Sequence, residues 1–254
     1  MGGGVGPAAG LILHRLILEN TRAGSDQEHL KVLHMSLPDM ISDRTEALLL
    51  GQAEIPGKQM AKIIAAGTQT CSSLGYSAIA GIPCNTFHAQ PIWASFMEAL
   101  SCYCFDKPLE LINMIDETIN FIKCRYPSGS NIGIMSTTGT REQGLYSKKL
   151  SLADYNVIEP EKQDEIHQII YAPEWGLKSG IKPSDKSVSA VRGEVEKLAS
   201  RGAQLVILGC TELPIAFEET GLVNHGLKYD VELIDPMRIL ARALVKAAAP
   251  DKLL

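Results

Sequence analysis

The sequence has no apolar run of the ~18 residues needed to cross a membrane. It also lacks an excess of basic residues. The net charge of −5 over 254 residues excludes the electrostatic footprint of a nucleic-acid binder. No CxxC pair occurs among the six cysteines, which argues against a structural zinc site. Those cysteines (71, 84, 102, 104, 124 and 210) are too sparse for a disulfide scaffold. Cys102-Tyr-Cys104 has the wrong spacing for a metal clip, so no metal is expected. Free thiols point to a reducing cytoplasm. The start, MGGGVGPAAGLILHRL, has no basic segment ahead of its apolar stretch and does not read as a secretory signal. Gly6 stands where a myristoylation pattern needs Ser or Thr. With 45% apolar and 21% charged residues, the composition is that of an ordinary globular chain long enough to bury a sizeable core.

What is present is alternation. Short β-branched runs are expected as strands at 30–36, 77–82, 109–113, 131–136, 156–158, 204–208 and 231–234. Longer helical patterns fall at 7–21, 57–74, 86–100, 114–125, 141–150, 161–171, 184–201 and 236–248. This order predicts an α/β fold with parallel sheets covered by helices on both faces. Ligands of such folds sit beyond the carboxyl ends of the strands.

A weak internal repeat is visible. A Gly-rich turn at 2–7 is followed by the apolar segment SAIAGIPC ending at Cys84. A turn at Thr137–Thr140 is followed, after a similar interval, by QLVILGC ending at Cys210. Two similar lobes are expected, 1–107 plus 216–254 and 108–215, with an active site in the cleft between them.

Both cysteines are placed at strand ends ahead of a turn or helix start, where exposed N–H groups favour a thiolate. A single strand-end cysteine is usually a small buried hydrophobe. Two in matching contexts point instead to chemistry. Gly209 is expected to let the backbone approach a ligand. The other four cysteines lie in or beside helical patterns and read as structural. His88, four residues after Cys84, could reach that thiolate or serve as a packed histidine.

The segments GIPCNTFHA (81–89) and VILGCTELP (206–214) resemble the two signature motifs of aspartate racemases, in the Asp/Glu racemase superfamily. GGVGPAA (3–9), DRTEALL (43–49), TTGTREQGLY (137–146) and LIDPMRILA (233–241) are similar to further blocks of that family, in the same order. The resemblance implies cofactor-independent racemisation of an acidic amino acid, aspartate ahead of glutamate. Without pyridoxal, removing the Cα proton from one face and returning one to the other needs two groups that alternate as acid and base. Cys84 and Cys210 are the implied pair, titrating as a coupled unit near neutral pH. By the same resemblance Asn85, Thr86 and Thr211 bind the α-carboxylate, where enolate charge develops. Thr138, Gly139 and Thr140 add further donors. Helix capping is the plainer role for Asn85 and Thr86.

Arg44 is implied to hold the distal carboxylate with its planar fork, against the plainer role of a surface ion pair with Asp43 or Glu46. Lys178 is the best match to a second cation, although its distance from Tyr171 departs from the family pattern. The family also places an apolar strand before the Gly-rich turn, whereas this chain starts at the turn, so a central strand is expected to be absent. A homodimer acting on a small-molecule amino acid, with no nucleic-acid or membrane partner, is the implied state. Hydantoin racemase or maleate isomerase chemistry, or an inactive amino-acid-binding homologue, are the alternatives.

Overall fold

In the computed structural model, which describes residues 1–3, 5–180, 182–217, 221–223 and 225–254, all pairings between strands are parallel. Gly4 of the Gly-rich turn lies outside the described residues. The chain divides into one compact unit of Met1–Thr118 with Met237–Leu254, and a second of Ile119–Pro236. Both crossings come later than 107/108 and 215/216. The reason is hydrogen bonding: residues 109–112 pair with a strand of the first unit, and 232–234 with one of the second.

The first unit holds β1 (Gly2–Gly3), β2 (Met35–Ser36), β3 (Ala78–Gly81) and β4 (Leu109–Ile112), paired β1-β2 and β3-β4. Its helices are α1 (Pro7–Glu19), α2 (Arg44–Leu49), α3 (Glu54–Ser73), α4 (Gln90–Ser101) and the start of α5 (Met114–Arg125). Most of α10 (Pro236–Ala248) returns to this unit. Leu13, Leu16 and Ile17 of α1 bury against Met237, Leu240 and Leu244 of α10. Residues 2–3 thus form a short strand where the sequence suggested none, in register Gly2 to Met35 and Gly3 to Ser36. The expected strand over 30–36 shrinks to its last two residues.

Helices α3 and α4 pack against each other, and Gly57 sets how closely. A Cβ there would lie 2.7 Å from the Ile92 carbonyl oxygen and 2.8 Å from the Phe96 nitrogen. Alanine ordinarily gains about 1 kcal/mol over glycine within a helix. Overpacking against immovable backbone costs about 1–3 kcal/mol and decides the sign. Gly57→Ala is therefore expected to lower unfolding free energy in urea titrations. Equal or greater stability would show that α4 is free to shift.

The second unit is one sheet with strand order β6-β5-β7-β8, from β5 (Asn131–Ser136), β6 (Asn156–Ile158), β7 (Leu205–Gly209) and β8 (Glu232–Ile234). α6 (Thr138–Glu142), α7 (Ser147–Ser151), α8 (Gln163–Tyr171) and α9 (Asp185–Ser200) complete it. Every residue of β7 is buried, which is why its sequence is uninterrupted aliphatic rather than alternating. Val206 and Leu208 share a core with Ile166 and Ile170 of α8 and Val191, Val195 and Leu198 of α9. The helix expected over 141–150 is broken in two. Gly144 takes φ +64° between α6 and α7, a conformation that favours glycine and ends a helix.

Candidate active site

In the first unit the chain leaves β3 through Ile82 and Pro83 and reaches Cys84, which is buried. A three-residue 3-10 turn, Thr86–His88, follows before α4 begins at Gln90. Asn85 and Thr86 are both buried, and the Asn85 side chain makes no capping bond to this turn. The helix-capping role weighed for Asn85 is therefore not the one it takes. Arg44 opens α2, and α2 packs against both the 86–88 turn and α4. Its guanidinium is buried, with Nη1 donating to the Ser42 carbonyl at 3.2 Å. Asp43 is occupied differently: its Oδ1 accepts from the Glu46 amide at 2.8 Å and caps α2. Cys84, Asn85, Thr86 and Arg44 thus lie in one unit, with α2 against the 86–88 turn.

His88 does not face the sulfur. Its Nδ1 lies 2.8 Å from the Cys84 carbonyl oxygen, and its Nε2 lies 3.4 Å from the Met114 amide nitrogen. The amide can only donate, so Nε2 accepts and the ring proton sits on Nδ1, donating to Cys84. This is the neutral imidazole. Burial lowers its pKa to about 4, and Trp93 stacks on it with centroids 5.0 Å apart. His88 therefore ties the backbone of Cys84 to the start of α5, where Asn113 Oδ1 caps the Ile115 and Asp116 amides.

The folded pKa of His88 lies below its unfolded value near 6.5, so the unfolded chain binds the extra proton between those values. The stabilisation is complete above pH 6.5 and is lost as pH falls toward 4. Between pH 7 and pH 5 the loss from this group is about 2 kcal/mol. Urea titrations at the two pH values should show wild type losing that much more stability than His88→Gln. Equal losses would remove His88 as the buried neutral group.

In the second unit, Thr137 follows β5 and caps α6, its Oγ1 accepting from the Thr140 amide at 3.3 Å and donating to Thr140 Oγ1 at 3.0 Å. The Thr138 hydroxyl accepts from Gln163 Nε2 at 3.4 Å, and the same nitrogen donates to the Ser136 carbonyl at 3.0 Å. Gln163 is held in turn by Arg141, which also bonds Glu159 at 3.0 Å. Ser136 pairs with Gly209, so the 137–140 turn and Cys210 stand at the carboxyl ends of adjacent strands. Gly209 is needed for this neighbour. A Cβ would meet the Ser136 Cβ at 3.0 Å, the Met135 carbonyl oxygen at 3.1 Å and the Tyr146 ring at 3.2 Å.

Glu212, two residues past Cys210, organises the rest. Its Oε2 accepts from Cys210 Sγ at 3.0 Å and from Thr211 Oγ1 at 2.9 Å. Its Oε1 is 3.7 Å from Lys178 Nζ, which also lies 5.1 Å from the centre of the Tyr171 ring. Lys178 is thereby brought to Cys210 in spite of its altered distance from Tyr171 in sequence. Burial and the Glu212 carboxylate push the Cys210 thiol well above its ordinary pKa, and Lys178 acts in the opposite direction. At Cys210 this opposes the thiolate that a strand-end position favours. The sequence signal for Glu212 is its position two residues past a cysteine that follows a buried strand.

Among the described residues no group of three or more His, Cys, Asp or Glu side chains could hold a metal. No described helix is long and apolar enough to cross a membrane.

Comparison with known proteins agrees with this architecture. Residues 3–244 match the family described as Asp/Glu/Hydantoin racemase. An aspartate racemase structure from Picrophilus torridus superposes with TM-score 0.73 at 25% identity, covering 99% of this chain and 93% of that one. A glutamate racemase from Carboxydothermus hydrogenoformans is 29% identical over 131 residues, which is 50% of this chain and 44% of that enzyme. An uncharacterized protein from Pectobacterium carotovorum subsp. carotovorum is 31% identical over 111 residues, 43% of this chain and 69% of the relative. The chain therefore belongs to the Asp/Glu/Hydantoin racemase family, a family of isomerases.

Proposed function

We propose that this protein racemises an acidic amino acid, aspartate ahead of glutamate, with Cys84 and Cys210 as its acid–base pair. One observation carries the reading. In each compact unit a parallel strand is followed within three residues by a buried cysteine, and each cysteine is followed at once by polar side chains and a 3-10 turn, at 86–88 and 213–217. A lone buried cysteine is ordinary packing. Repetition of the whole arrangement in both halves is not required by packing.

The chemistry needs a base to take the Cα proton and an acid to supply one from the other side, so that inversion follows. The electron pair left on Cα moves into the substrate carboxylate. Donors placed there lower the barrier more than they favour the ground state. Asn85, Thr86, Thr211 and the 138–140 turn are assigned to that carboxylate, and Arg44 and Lys178 to the distal one. The buried fork of Arg44 supports an acidic side chain over an aliphatic one.

The test is incubation with L-aspartate in deuterated water, followed by chiral separation and proton NMR. Deuterium at Cα and D-aspartate should accumulate together. L-glutamate run alongside ranks the two substrates. Neither exchange nor inversion with either amino acid would overturn the proposal.

A further inference from the structure

We infer that Glu212 is a positioning residue whose carboxylate ties the Cys210 thiol and the Lys178 ammonium into one unit, so that Cys210 enters turnover as the acid and an incoming anion competes with Glu212 for Lys178. The second half rests on the racemase reading; the first does not. One carboxylate oxygen receives both the Cys210 and the Thr211 hydrogens, at 3.0 and 2.9 Å, and the other faces Lys178 at 3.7 Å. A sulfur that had lost its proton would set a full negative charge against a carboxylate at hydrogen-bond distance, in a site shielded from water. That contact is favourable only while the proton stays on sulfur.

Among the described residues, the charged groups acting on the thiol are Glu212 and Lys178. β7, which leads into the cysteine, contributes none. On α9, which packs against the 213–217 turn, Arg192 donates to the His225 carbonyl and Glu194 pairs with Lys197. Lys178 is only partly buried, whereas Glu212 is nearly sealed. An anion arriving from solvent therefore meets the lysine first, and must draw it from a carboxylate already in place. A ligand without a distal carboxylate has no such exchange to make.

Thiolate absorbance in the ultraviolet can be titrated without catalysis, in a background where Cys71, Cys102, Cys104 and Cys124 are serine. Subtracting the same titration of Cys210→Ala isolates Cys210. Glu212→Gln is expected to move its midpoint down by at least about one pH unit, roughly a tenfold change in thiolate population below the midpoint. Glu212→Asp should return it toward wild type. If Glu212→Gln titrates with the wild-type midpoint while keeping a wild-type near-ultraviolet dichroism spectrum, the inference falls. If that variant does not fold, Glu212→Asp and Lys178→Met decide: Lys178→Met must raise the midpoint, and an unchanged one overturns the inference. Under the racemase reading, Glu212→Gln should also shift the alkaline limb of kcat/KM for aspartate to lower pH. A shifted thiol titration in a protein that does not racemise aspartate would sink the function and leave the role of Glu212 standing.

Discussion

Replacing either Cys84 or Cys210 with serine is expected to lower aspartate inversion by about 10²–10⁴-fold, the usual contribution of a positioned acid–base group. A serine hydroxyl fits the space of the thiol but holds its proton far more tightly, so it can neither take the Cα proton nor rest as a base. The two variants should fail in opposite ways. With one thiol left, only the enantiomer whose Cα hydrogen faces that sulfur can exchange with solvent, and it does so with retention. Cys84→Ser and Cys210→Ser should therefore keep residual deuterium exchange on opposite enantiomers while both lose inversion. Cys124, an exposed cysteine, is the control: its serine variant should invert aspartate at the wild-type rate. If all three variants behave alike, or if the two active-site variants exchange the same enantiomer, the two-thiol mechanism is wrong.

Much of the frame behind this experiment is legible in the sequence, because parallel strands buried on both faces announce themselves as uninterrupted aliphatic runs. β5, β6, α5 and α10 occupy the residues their patterns indicate. Both strand-end cysteines follow from the same runs. What the pattern cannot carry is anything decided by a single backbone angle or by distant partners. Gly144 looks like a tolerable helix glycine until its positive φ splits 141–150. α2 is six residues long, too short for a periodicity to declare itself. Only the last two residues of 30–36 pair as a strand, because pairing depends on the neighbour available rather than on β-branching.

The site divides along the same line. Cys84, Asn85 and Thr86 are contiguous, so their grouping needs no tertiary knowledge. The neutral state of His88 needs the Met114 amide, 26 residues on. The bracing of Thr138 by Gln163, and of Gln163 by Arg141, crosses between α6 and α8. Lys178 reaches Glu212 only because the loop after α8 is pinned, with the Leu177 and Lys178 amides donating to the Ile169 and Ile170 carbonyls at 2.8 and 3.0 Å. Counting residues from Tyr171 could not find that.

Arg44→Ala is the second large effect, and it separates recognition from chemistry. Removing one partner of a buried, hydrogen-bonded charge pair costs about 2–4 kcal/mol in binding, or roughly thirty- to thousandfold in kcat/KM for aspartate. The loss should lie mainly in KM if the distal carboxylate is held equally in ground and transition states. Two other contacts are expected to hold the loop in this variant. Asp43, not Arg44, caps α2, and the Ser42 amide is held separately by Gln59 Oε1 at 2.9 Å. The loop therefore keeps two anchors when the guanidinium is removed. Arg44→Lys should recover only part of the loss, since an ammonium retains the charge but not the planar two-point fork. Discrimination is the decisive readout: Arg44→Ala should narrow the kcat/KM gap between aspartate and alanine, because alanine never engaged the missing group. A variant that loses aspartate and alanine turnover in equal proportion would mean that Arg44 supports the loop around Cys84, and the distal carboxylate would have to be assigned to Lys178 alone.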